Sequence, residues 1–188
     1  MRSRYHVNRL GRAGPATGLA AAELELAARP GREARLRLAL ADLPTPPYDY
    51  VLIDTPPSLG LFTQSALMAS RWVIAPAEAS YYSLNALRQL RELVDLITPF
   101  NERLEVLGVL LTRVDRRANF SADVETLLRQ TLGNLVFTET IPANIRAAEA
   151  PAAGQPVTIY APDSSSAQAY RRLVDEVIYR IEATNEQA

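Results

Sequence analysis

Apolar positions recur along this chain with two different periods. Four short runs read as strands: Tyr48–Ile53, Trp72–Ala75, Leu104–Leu111 and Leu135–Ile141. The third is continuously apolar after Glu105, the signature of a strand buried on both faces. Between the runs the period changes to that of a helix. Leu84, Leu87, Leu90, Leu93 (or Val94) and Ile97 share one face of a segment from Tyr81 to Ile97, and Tyr170, Leu173, Val177 and Ile181 do so from Ser164 to Ala183. Further helices are predicted over 61–69 and 119–132, and over 18–41 with a break at Arg29-Pro30-Gly31. Pro76 and Pro142 are read as strand stops.

Strands alternating with helices predict an α/β fold with a mostly parallel sheet flanked by helices. Such a sheet offers its chemistry at the carboxyl ends of its strands. Asp54, Pro76, Thr112 and Pro142 all fall at predicted ends.

Composition narrows the function classes. The 188 residues suit one domain with a substantial core. The formal charge of −1 provides no global attraction to nucleic acid or anionic membrane. With no cysteine, thiol catalysis, disulfides and cysteine metal sites are excluded. No apolar run reaches the length of a membrane span, and a cytoplasmic location is expected. All 20 basic residues are arginine. Residues 1–17 contain Arg2, Arg4, Arg9 and Arg12 without an acid, and read as a disordered basic leader or an arm for an anionic surface. His6 lies in that leader and anchors no catalytic triad.

Asp54 ends an apolar run and precedes Thr55-Pro56-Pro57. A carboxylate there suits magnesium binding or the orientation of an attacking water, and equally suits a turn or cap. Thr112-Arg113-Val114-Asp115-Arg116-Arg117 follows the most apolar strand and reads as a base-recognition cluster or a solvated loop. Arg116 and Arg117 are candidate phosphate contacts, or simply exposed. Asn144 is placed to cap a short helix or touch a ligand, and Arg146 projects from that helix's first turn.

Several stretches occur together in one order: Ala20 through Glu33, Tyr48 through Gly60, Leu107 through Thr112, Ile141 through Pro151 with Ala148-Glu149-Ala150-Pro151, and Ala167-Gln168-Ala169-Tyr170. In this the chain resembles the ParA/MinD family of deviant-Walker ATPases, specifically the ParA (Soj-like) chromosome and plasmid partition branch, over residues 18 to 182. The resemblance implies a P-loop NTPase-like fold and an ATPase that dimerises around ATP and magnesium. It further implies non-specific DNA binding, a ParB-type centromere-binding partner and association with the nucleoid. Asp54 then matches the magnesium-associated aspartate. Thr112, Arg113, Pro142 and Asn144 match the region around the adenine, and Arg146, Arg116 and Arg117 match positions linked to DNA.

The departures are as specific. No Gly-x-x-x-x-Gly-Lys-Thr loop and no lysine occur in the sequence, so the family's first strand, phosphate loop and first helix have no counterpart. Ala143 stands where an arginine is common, and Ser164-Ser165-Ser166 replaces a stretch that often carries a basic residue. ATP hydrolysis by this chain alone is therefore not expected. The alternatives are a non-catalytic adaptor or competitor binding ParA, ParB or DNA, as homodimer or heterodimer, or a truncated gene product. In the family the missing first strand is central, beside the one ending at Asp54, so two unpaired apolar strand edges are expected, which would have to close together or be covered.

Overall fold

The computed structural model describes residues 26, 28, 30–41, 49–80, 82–115 and 119–187. The predicted leader, His6, Tyr48, Tyr81, Arg116, Arg117 and most of the helix predicted from residue 18 lie outside the described residues. Seven α-helices are described: α1 Arg35–Ala41, α2 Leu61–Ala69, α3 Tyr82–Ile97, α4 Asn119–Leu132, α5 Ile145–Glu149, α6 Val157–Tyr160 and α7 Ser165–Gln187. A 3-10 turn over Arg32–Ala34 leads into α1, and its preceding residue Gly31 has φ 66, which a glycine adopts without steric cost.

Two strands form the centre. β1 (Trp72–Glu78) and β2 (Glu105–Thr112) pair in parallel, with Trp72 opposite Glu105 and Glu78 opposite Thr112. The register shifts between Val73 and Ile74. α3 supplies the crossover that a parallel pair requires. Pro76, predicted to stop β1, instead sits inside it opposite Leu110. Among the described residues β1 pairs with β2 alone, and a proline is tolerated in a strand with an open edge.

The predicted strand Leu135–Ile141 forms no ladder: Val136 makes one isolated parallel bridge to Val109 of β2, and Pro142, just past the predicted strand, makes another to Val114, just past β2. Phe137 N donates to Val109 O (2.9 Å) and Ile141 N to Leu111 O (2.9 Å). Between them the chain leaves β2 for a physical reason. The amides of Thr138 and Glu139 donate to the Glu176 carboxylate on α7, at 2.8 and 3.0 Å.

The predicted strand Tyr48–Ile53 joins no ladder over its described part. Leu52 is 92% exposed and Val51 57%, although the run is apolar. Apolar composition suits a buried strand only where neighbours pair its edges and cover its faces. No described element does so here.

Helices cover both faces of the sheet. On one, Ala75, Ala77, Val109 and Leu111 meet Leu84, Leu87 and Leu90 of α3 and Val124, Leu128 and Leu132 of α4. On the other, Trp72, Ile74, Leu107, Leu110, Phe137 and Ile141 meet Ala169, Leu173, Val177 and Ile181 of α7. The predicted face of α7 is right except at its start, where the small Ala169 is buried and Tyr170 is 37% exposed. A third cluster joins Leu67 and Met68 of α2 to Leu93, Val94 and Ile97 of α3. Leu111, Leu128 and Phe137 are fully buried, each contributing about 1.5–3 kcal/mol of transfer free energy.

Candidate functional site

The polar groups of interest gather where β1, β2 and the bridged segment end. Thr112 closes β2, and its Oγ1 donates to Ala77 O of β1 at 3.3 Å, pinning the two strand ends together. Arg113 follows with φ 54, the one positive-φ residue other than glycine among the described residues. An L-residue there costs roughly 1–2 kcal/mol, so the flanking structure has to hold it. Val114 does this: it is buried, its N donates to Ile141 O (3.1 Å), and its O accepts from Ala143 N (3.1 Å). The left-handed turn directs the chain out of the sheet, and Arg113 Nη1 lies 3.3 Å from Glu78 Oε1 at the end of β1. Both partners are mostly exposed, so the pair is worth about 0–1 kcal/mol.

Pro142 is drawn to the same end by its bridge to Val114. Its carbonyl accepts from Ser166 Oγ at 3.2 Å, and Ser166 is fully buried at the start of α7. Asn144 caps α5: its Oδ1 accepts from Arg146 N (2.8 Å) and its Nδ2 donates to Ser165 Oγ (2.9 Å). The capping role weighed for this residue is therefore the one observed. Arg146 is exposed and pairs with Glu149 at 3.0 Å. Through that hydrogen bond and charge, Glu149 holds the Arg146 guanidinium above its ordinary value, with Tyr160 adding to the effect.

Asp54 lies on segment 50–56, which has no regular secondary structure, and is exposed. The turn after it is clasped to α2, where Thr63 Oγ1 donates to Ser58 O at 2.5 Å. Among the described residues no group of three or more acidic or histidine side chains forms a metal cluster. Thr112, Arg113, Pro142 and Asn144 are thus brought to the carboxyl end of the sheet, with Arg146 two residues beyond in the first turn of α5, while no described contact ties Asp54 to them. Arg116 and Arg117 lie outside the described residues.

Sequence reading missed Glu78, Ser165 and Ser166 at this edge, and gave Glu149 and Tyr160 no role. Glu78 was hidden because Pro76 suggested an earlier end to β1. Glu149 was legible as an acid three residues after Arg146 on one helix.

Parallel strands joined by a helical crossover, helices on both faces and polar groups at the strand ends make this an α/β domain built on a parallel sheet. A family model described as an AAA domain matches residues 14–106. The sporulation initiation inhibitor protein Soj of Bacillus subtilis is 42% identical over 165 residues, covering 87% of this chain and 65% of Soj. The chromosome-partitioning ATPase Soj of Thermus thermophilus is 42% identical over 170 residues, covering 89% of this chain and 66% of that protein. Among solved structures, cobyrinic acid a,c-diamide synthase from Mycobacterium smegmatis with bound ADP and magnesium superposes with a TM-score of 0.70 at 31% identity. That match covers 89% of this chain and 61% of the synthase. Over most of its length the chain is similar to ParA-family proteins, and its fold is P-loop NTPase-like. It spans about two thirds of the length of the Soj relatives. No described helix is long and apolar enough to cross a membrane.

Proposed function

We propose that this chain is a ParA-type partition module that serves chromosome or plasmid segregation. In this reading it binds duplex DNA without sequence preference through Arg146, aided by Arg116 and Arg117, and meets a ParB-type centromere-binding protein and a ParA-type chain. The observation that carries it is the 42% identity to Soj proteins over nearly nine tenths of the chain. The exposed arginine beside the strand ends supports it, since phosphate contacts from arginine supply most non-specific affinity.

In the same reading Asp54 is the residue that would face a magnesium ion, and Thr112, Arg113, Pro142 and Asn144 the ones beside a purine. The donor set fits a nucleoside triphosphate poorly. The Thr112 hydroxyl and both ends of the Asn144 amide are bonded within the protein, and the sequence offers no lysine to neutralise phosphates. The module therefore acts without hydrolysing ATP by itself, as partner or competitor of a complete ParA-type protein.

An electrophoretic shift of a random-sequence duplex tests this reading. Binding is expected, falling as salt rises and weakened in Arg146→Ala. A chain that shifts no duplex at low salt contradicts it.

A further inference from the structure

Arg146 is held by a partner that faces the same surface. Glu149 Oε2 lies 3.0 Å from Arg146 Nη1, one turn along α5. The same oxygen accepts from Tyr160 Oη at 3.3 Å, from the end of α6. The start of α5 is fixed in turn, because Asn144 caps it and is tied to Ser165 of α7. The guanidinium, the carboxylate and the phenol therefore form a preset triangle instead of three independent surface side chains.

We propose that Glu149 is a brake on DNA binding at this surface: its carboxylate occupies the Arg146 guanidinium, so that a backbone phosphate has to compete for it. The inference rests on the reading of Arg146 as a DNA contact. An approaching phosphate meets a pair with almost no net charge, and its own charge is repelled by the carboxylate beside the arginine. Tyr160 keeps that carboxylate turned toward Arg146. The side chains of Arg146 and Glu149 are 57% and 40% exposed, so the pair is solvated and opens when a phosphate arrives. The brake thus lowers affinity without closing the surface.

Fluorescence anisotropy on a labelled random-sequence duplex, at several salt concentrations, tests the proposal with the wild-type chain, Glu149→Gln, Tyr160→Phe, Arg146→Ala and the Glu149→Gln/Arg146→Ala double variant. Glu149→Gln is expected to bind roughly threefold to tenfold tighter with a steeper salt dependence, and Tyr160→Phe to shift less in the same direction. In the Arg146→Ala background the gain from Glu149→Gln is expected to fall below about twofold. A Glu149→Gln chain that binds no tighter than wild type overturns the brake, as does an undiminished gain without Arg146. If Arg146→Ala binds as wild type does, or no chain binds at all, the reading of Arg146 as a DNA contact fails first and the brake with it. Unchanged thermal melts of the variants show that folding is not the cause.

Discussion

Arg180 donates from Nη1 to the carbonyl oxygen of Leu107 across 3.1 Å, so the last helix reaches the backbone of the most buried strand. The same guanidinium donates to Asn134 O (3.0 Å) and Val136 O (3.0 Å), pairs with Glu176 (2.9 Å) and lies over the Phe137 ring. It links α7, β2 and the bridged segment from which the strand-end residues emerge. Replacing Arg180 with Met is expected to cost about 2–3 kcal/mol, because a charged donor leaves partly buried acceptors behind. Urea unfolding followed by Trp72 fluorescence measures this. The double variant with Glu176→Gln is expected to lose less than the sum of the single losses.

Gly108 makes room for that arginine. A Cβ at this position would lie 2.7 Å from Phe137 Cε2 and 2.9 Å from both Arg180 Nη1 and Leu135 O. One of those neighbours is backbone and cannot swing aside. Gly108→Ala is expected to destabilise by about 1–3 kcal/mol through overpacking. A midpoint unchanged in urea would show that the three elements do not meet as described.

Glu176 links stability to pH. Burial pulls its pKa upward, but the backbone amides of Glu139 and Thr138, together with Arg180, outweigh that and set it below the usual glutamate value. A depressed carboxylate stabilises the fold at pH above its unfolded value of about 4.3, and this contribution fades as pH falls through the folded value. Urea midpoints between pH 3 and 7 are expected to fall on the acid side in wild type and to fall less steeply in Glu176→Gln. Parallel curves would remove Glu176 from the account.

Arg113 holds its left-handed φ of 54 at a cost that a glycine would not carry. Arg113→Gly is expected to raise stability by roughly 0.5–1 kcal/mol, the relief of strain less the added freedom of the unfolded chain. The ion pair to Glu78 that is lost is too exposed to reverse the sign. A thermal melt decides the matter, and a lower midpoint would mean that Arg113 is held by more than its neighbours' backbone.

What was legible in the sequence follows from how local each cause is. The helical faces of 82–97 and 165–187 and the buried run of β2 are written in periodicity, and the structure follows them almost residue by residue. The capping alternative for Asn144 was legible for the same reason, since cap and capped amide are two residues apart. Two strands were misjudged because a strand is defined by its partners. The run at 50–53 is apolar yet joins no described ladder, and 135–141 gives up its ladder at two amides because Glu176, 37 and 38 residues away, accepts from them. Of the four predicted strand ends, Thr112 and Pro142 lie together, whereas Pro76 falls inside β1 and no described contact ties Asp54 to them. The site's members Glu78 and Ser166 were not legible, because their roles depend on which segments the fold brings together.

We propose a ParA-type module that binds DNA and, because its strand-end donors fit a nucleoside triphosphate poorly, does so without needing nucleotide. Anisotropy of a labelled random-sequence duplex, titrated with the chain in the presence and absence of magnesium-ATP, tests it most directly. The account predicts salt-dependent binding with the same curve in both conditions. Binding that appears only with magnesium-ATP, or no binding in either condition, would contradict it.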